Sequence, residues 1–372
     1  MKVFYVCTLI VLVFCVLLYS FLDVRVPEPI EEKFSIRVME GCMKNIGHFI
    51  GVLIALGITK PFSPMLKGIG NNTNVKKLWM ITFKFLFVDN YDLFNQRLSK
   101  ETGVVIISVE YRLSPQNPYP AGLDDIRNVV SYVFNKARNL GVDPGRIAVG
   151  GDSAGGNLAA AVQLRSEMRG KIAMLLLLVP VLQAVNMKTI GFIENVEYLN
   201  KSINDPQMTN FFLNYLNLDH LLCGAFLNNL HTSADFKRGK YKFLFDQQKY
   251  LPDKYIRSKE LRLKKPEVEY IGNETLFKEL KDKLTDPTIF PLMASDEELS
   301  HFPFTYILAA GYDLIRDDAI MFAERLRHLN KDVELSHIAD GFHNALLMFS
   351  GPLQTNVGVR TVNDIIRVLK KL

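Results

Sequence analysis

From residue 78 to the C terminus, apolar runs of strand length alternate with stretches whose apolar residues recur every three or four positions. The runs are residues 78–88, 104–110, 146–151, 172–179, 304–310 and 333–338. Helical spacing fills residues 91–102, 124–140, 157–168 and 318–329, and Gly103 and Gly141 stand where the first two helices must stop. Strands alternating with helices predict an α/β fold built on a mostly parallel sheet, because each parallel crossover needs a helix. Residues 183–303 break this rhythm. They are mixed in charge and rich in Phe, Tyr and Leu, and read as one long insertion into the sheet.

Two apolar stretches precede the alternation. Residues 3–22 hold no charged side chain, and at about 1.5 Å per residue they reach across a hydrocarbon core of roughly 30 Å. A cleaved signal peptide would carry a shorter apolar region and a small-residue cleavage site, which Tyr19-Ser20-Phe21-Leu22-Asp23 does not offer. The expectation is an uncleaved, single-pass membrane anchor at residues 1–22. Lys2 lies on one side of it and Arg25, Lys33 and Arg37 on the other, so charge sets no orientation. Residues 46–59 are too short to span comfortably and read as a buried or interfacial helix. The division predicted is an anchor at 1–22, an N-terminal helical segment at 23–77, and one domain at 78–372 that contains the insertion at 183–303.

Composition narrows the function. At 48% hydrophobic over 372 residues, the chain has enough apolar material for one large globular domain. The formal charge of +5 comes from dispersed Lys and Arg, which excludes a nucleic-acid role; the basic runs at 237–242 and 254–265 read as solvated faces, with contact to lipid headgroups as the alternative. Of the cysteines, Cys7 and Cys15 fall in the apolar anchor, and a pairing of Cys42 with Cys223 stays open. No CxxC pair, HExxH, carboxylate cluster or GxGxxG after a strand occurs, so neither a metal nor a cofactor is expected. Acceptor sequons start at Asn71, Asn200 and Asn273, a number that chance alone nearly supplies.

The chemistry is concentrated in Gly150-Gly151-Asp152-Ser153-Ala154-Gly155-Gly156-Asn157, between a strand and a helix. Such a turn forces a strained backbone on the residue at its tip, and the flanking Gly151, Gly155 and Gly156 remove the Cβ atoms that would collide there. Ser153 is thereby held clear of the sheet as a nucleophile. The helix begins at once, so its free N–H groups, that of Ala154 first, face any oxyanion formed on Ser153. A glycine-rich strand-to-helix turn can also be purely structural, so the order of the candidate partners downstream decides. A serine of this kind needs an acid and then a histidine at the ends of later strands. Asp313 follows the run 304–310, and His343 follows the run 333–338 through Gly341-Phe342. Asp317 and Asp318 compete for the acid but stand at the start of a helix and read as its caps. Among the other histidines, His48, His220, His231, His301, His328 and His337, none follows a strand end in this way.

These residues resemble the arylacetamide deacetylase-like members of the hormone-sensitive-lipase group of α/β-hydrolases. The resemblance rests on Gly151-Asp152-Ser153-Ala154-Gly155-Gly156, Tyr111-Arg112-Leu113-Ser114-Pro115 with Pro118-Tyr119-Pro120-Ala121, Tyr312 to Asp318, and Gly341-Phe342-His343. It extends from about Asp89 to the C terminus, and more loosely over the N-terminal anchor. It implies an α/β-hydrolase fold in which the insertion and the N-terminal helices form a cap. Ser153 is implied as nucleophile, Asp313 as acid and His343 as base, in hydrolysis of a small hydrophobic ester, aryl amide or acyl lipid. It also implies a catalytic domain on the lumenal side of the endoplasmic reticulum. The Tyr111 to Ser114 segment reads as a structural brace. Oligomeric state is not legible.

One departure qualifies the resemblance. The family's His-Gly-Gly-Gly-type loop, whose N–H groups complete the oxyanion hole, should follow the strand before Tyr91. Here Phe83-Lys84-Phe85-Leu86-Phe87-Val88 runs into Asp89 without a glycine, and a single strand candidate precedes Val104. The N-terminal part of the sheet reads as truncated by a missing block. Losing one oxyanion donor costs about a hundred- to a thousand-fold in turnover. The alternative is a catalytically silent, membrane-anchored protein that retains the pocket to bind a hydrophobic ligand.

Overall fold

The computed structural model describes residues 24–40, 66–69, 76–82, 88–198, 205–247 and 249–372. The anchor expected at 1–22, the apolar stretch 46–59, Cys7, Cys15, Cys42, His48, the sequons at Asn71 and Asn200, and residues 83–87 lie outside these. No helix among the described residues is long and apolar enough to cross a membrane.

Among the described residues seven strands form one sheet: β1 (Leu66–Ile69), β2 (Lys76–Thr82), β3 (Val105–Val109), β4 (Val142–Asp152), β5 (Met174–Leu178), β6 (Phe304–Tyr312) and β7 (Val333–Phe342). Their order is β1-β3-β2-β4-β5-β6-β7. β1 runs antiparallel to β3, and the other pairings are parallel. Helices α1 (Val88–Thr102), α2 (Ala121–Lys136) and α3 (Ala154–Gln163) connect the first strands. The insertion carries α4 (Ile190–Asn195), α5 (Asp205–Leu216) and α6 (Glu274–Thr285) with shorter turns between them; α7 (Arg316–His328) and α8 (Asn356–Leu369) complete the domain.

The central strand shows why the apolar runs are continuous. On β5, Leu175 and Leu177 enter a core with α2, α3, α7 and the insertion, while Met174, Leu176 and Leu178 enter a second core with α1 and α8. A strand covered on both faces has no position left for water. Each fully buried leucine there contributes about 1.5–3 kcal/mol. On α8, Val362, Ile365, Ile366 and Leu369 recur at helical spacing and are buried.

Several boundaries differ from expectation. β1 lies inside the stretch read as an N-terminal helical segment, so among the described residues two strands, not one, precede β3. Four residues are too few to show a period. α2 starts at Ala121, directly after Pro120, three residues before the first acidic residue. β6 and β7 run on to Tyr312 and Phe342, because their pairing continues past the apolar runs to a last rung, Tyr312 with Phe342. Lys237, read as part of a solvated run, is 2% exposed, and its ammonium donates to the carbonyls of Asn229, Glu269 and Ile271.

The N-terminal residues 24–40, helical over 33–40, pack Val24, Ile30 and Ile36 against Tyr312, Phe342, Ala345, Met348 and Val357. They thus brace the ends of β6 and β7. In the insertion, Phe212 meets Phe290 edge-on and Phe226 stacks on His231 at 3.9 Å. These aromatics serve a packed core.

Candidate active site

Ser153 lies between β4 and α3 with φ 53° and ψ −118°. A non-glycine residue in that region carries roughly 1–3 kcal/mol of strain, which the surrounding packing must hold in place. The Ser153 N–H donates to the Leu178 carbonyl at 2.8 Å, tying the turn to β5. A Cβ on Gly156 would stand 2.9 Å from Cβ of Pro180 and 3.1 Å from the Gly151 oxygen, so glycine is required where α3 leaves the turn. Gly151 itself is in the ladder, opposite Thr82 of β2 and Leu177 of β5. Ala154 and Gly155 open α3, whose first N–H groups have no acceptor within the helix.

Acid and base arrive from the neighbouring strands. Asp313 and His343 each directly follow the last paired rung of β6 and β7, Tyr312 with Phe342, so adjacent main chains deliver them side by side. His343 Nδ1 lies 2.7 Å from Asp313 Oδ2, and Nε2 lies 2.9 Å from Ser153 Oγ. The carboxylate selects the tautomer protonated on Nδ1, leaving Nε2 to accept the serine proton. Asp313 is 2% exposed, and its Oδ1 accepts the Ile315 N–H at 3.1 Å.

Burial alone lowers the basicity of His343. The charge and hydrogen bond of Asp313 outweigh it, helped by the charges of Asp152 and Glu40, so its pKa lies above the ordinary imidazole value. Asp152 contributes more than a turn residue. Burial pushes its carboxyl up to about 6, against the opposing effects of a hydrogen bond from Tyr91 Oη at 2.8 Å and of His343. Sequence reasoning placed Asp152 only in the turn; its position beside the nucleophile was the available signal for an electrostatic part.

The competing candidates are occupied elsewhere. Asp317 and Asp318 do not cap α7, whose N-terminal flanking residue is Ile315 and has no side-chain cap. Both carboxylates are buried and turn toward the insertion. Asp317 Oδ2 accepts from the Gly191 N–H at 2.6 Å, and Asp318 accepts from the Leu182 N–H and the Gln183 amide. His231 bonds the Ala184 carbonyl, His328 the Glu324 carbonyl, and His337 meets Tyr255 edge-on. Arg112 grips Asp125 of α2 through two bonds of 2.9 Å, which is a bracing role. Among the described residues no three His, Cys, Asp or Glu side chains gather as a metal site would.

Comparison with known sequences and structures fits this geometry. The pattern of the alpha/beta hydrolase fold family matches residues 83–238 and 243–347. The chain belongs to that family. Neutral cholesterol ester hydrolase 1 of Bos taurus is 33% identical over an alignment of 291 residues, covering 75% of this chain and 68% of that protein. Arylacetamide deacetylase-like 2 of Homo sapiens is 29% identical over 394 residues, covering 93% of this chain and 94% of that protein. The second alignment is longer than the 372 residues of this chain, so the relative holds residues that this chain lacks. The crystal structure of carboxyl esterase 2 from Tuber melanosporum superimposes with a TM-score of 0.56 at 19% identity, over 82% of each chain. These relatives are named as an ester hydrolase, a deacetylase-like protein and an esterase.

Proposed function

We propose that the chain hydrolyses carboxylic esters through an acyl-enzyme formed on Ser153. The observation that carries this reading is the unbroken line of hydrogen bonds from Asp313 through His343 to Ser153. In the first half-reaction Ser153 Oγ bonds to the carbonyl carbon while its proton passes to His343 Nε2. The carbonyl oxygen becomes an oxyanion facing the start of α3, where the Ala154 N–H is a donor. His343 then returns the proton to the departing alkoxide, and water repeats the sequence to release the acid. Asp313 keeps its negative charge throughout and stabilises the imidazolium.

The relatives' names point to hydrophobic acyl or aryl substrates, and a small hydrophobic ester or amide is the substrate class proposed. In the same reading residues 1–22 anchor the chain and the domain faces the lumen of the endoplasmic reticulum; resistance to alkaline carbonate extraction checks the anchor. A second reading is favoured by one observation. Thr82 ends β2 beside Gly151, so the link after it starts at the nucleophile, and residues 83–87 contain no glycine. A silent binder of hydrophobic ligands would keep the pocket and lose turnover.

Fluorophosphonate labelling, mapped by peptide mass spectrometry, and hydrolysis of a short-chain p-nitrophenyl ester separate the readings. Labelling of Ser153 with turnover is the result expected. Labelling without turnover indicates a hydrolase arrested by its oxyanion site, and absence of both favours the binder.

The charge pattern sets the pH dependence. The imidazole must be neutral to take the serine proton, so the labelling rate rises with pH through the His343 pKa, above the ordinary value. Asp152→Asn removes a negative charge that stabilises the imidazolium, and the acid limb is expected to move to lower pH. The difference is read above about pH 6, where Asp152 is ionised in the unmodified chain. An unmoved acid limb in Asp152→Asn means that Asp152 has no electrostatic part.

A further inference from the structure

The bond ladder between β6 and β7 shifts register between Ala310 and Tyr312, which takes Gly311 out of regular pairing just ahead of the acid. A bulge frees main-chain groups and re-aims the residues beyond it. Here the insertion takes up the freed groups. Asn195, fully buried at the end of α4, donates its amide to the carbonyls of Gly311, at 3.2 Å, and of Asp313, at 2.9 Å. Arg257 donates from Nη1 to the Gly311 carbonyl and from Nη2 to Asn195 Oδ1 at 2.6 Å. Its guanidinium carbon lies 3.9 Å from the ring centroid of Tyr312. Glu194 completes the arrangement: Oε1 accepts the Ser258 N–H at 2.6 Å, and Oε2 accepts from Arg316 at 2.5 Å.

We propose that Arg257 and Asn195 are positioning residues, which clamp the main chain of residues 311–313 so that the Asp313 carboxylate stays on His343. The inference rests on the reading of Asp313 and His343 given above. Two segments of the insertion, 190–195 and 256–258, thereby act on the line of hydrogen bonds without touching the reacting atoms. Buried ionic networks are weak sources of stability, because desolvation offsets their attraction. Their geometric contribution is stronger: a planar guanidinium with one face on Tyr312 and its edge on Gly311 fixes both direction and distance. The charged and titratable groups around Arg257 are Glu194, Arg316, Tyr312, Tyr198 and His337, and those around His343 are Asp313, Asp152 and Glu40.

The test is the rate of fluorophosphonate labelling of Ser153 against pH, with a melting temperature for each protein, in the full chain and in Arg257→Lys, Asn195→Ala and Lys237→Met. Lys237 lies in the same insertion but bonds only carbonyls of residues 229, 269 and 271, so its loss reports the stability of the insertion alone. Arg257→Lys and Asn195→Ala are expected to lower the limiting rate about ten- to a hundred-fold, the scale for a misplacement of about 1 Å. They also move the acid limb to lower pH, because a loosened Asp313 supports the imidazolium less. Lys237→Met is expected to lower the melting temperature and leave rate and pH profile in place. Unchanged rate and acid limb in the two clamp variants overturn the inference, as does an equal loss in Lys237→Met. A full chain that never labels at Ser153 overturns the hydrolase reading, and the clamp with it.

Discussion

Ser153→Ala is expected to end fluorophosphonate labelling altogether and to lower ester turnover by up to about a million-fold, the scale seen when a serine nucleophile is removed elsewhere. The substitution removes one oxygen and keeps the Cβ, so the backbone at φ 53° is no more strained than before and the fold should persist. Melting temperature is therefore expected to change little, which separates this result from simple unfolding. The full loss in turnover is visible only if the unmodified protein has it to lose. The glycine-free link after β2 bears on that, because each absent oxyanion donor removes about two to three decades. Labelling needs the nucleophile and its base, and it is the more sensitive readout. A Ser153→Ala protein that labels as fast as the parent excludes Ser153 as the nucleophile.

Gly311→Ala is expected to damage stability and reactivity together. A Cβ at this position would stand 2.0 Å from the Ala339 carbonyl oxygen and 2.7 Å from its carbon, both main-chain atoms of β7. No rotamer relieves a collision between two backbones, so the strands must part locally. Overpacking of this kind costs about 1–3 kcal/mol, and occasionally more. The parting occurs two residues before Asp313 and four residues before His343 on the opposing strand, where a separation of about 1 Å lowers reactivity roughly a hundred-fold. Thermal unfolding and labelling rate measured on one preparation check both halves. A Gly311→Ala protein with parental stability and labelling would show that this strand end has slack.

The sheet and the turn at Ser153 were legible in the sequence because each depends on local pattern, and the places of Asp313 and His343 because each follows an apolar run. Ser153 sits among glycines, of which Gly156 leaves no room for a Cβ, and the β5 run is apolar because both faces are covered. β1 was not legible, since four residues beside β3 show neither period nor length. Asp317 and Asp318 were misread for a related reason. Acidic residues near a helix start satisfy the capping rule, but the main-chain N–H groups they accept from, those of Gly191 and Leu182, are over a hundred residues away. The insertion's hold on residues 311–313 escaped notice too, because a bulge is a property of pairing between two strands.

Ser153 and His343 meet across 190 positions of sequence, and the strand that leads to the imidazole is the last in chain order. A growing polypeptide therefore carries an inert serine until β7 closes the edge of the sheet. Reactivity toward a fluorophosphonate then serves as a clock for the end of folding, silent in every intermediate that lacks the final strand.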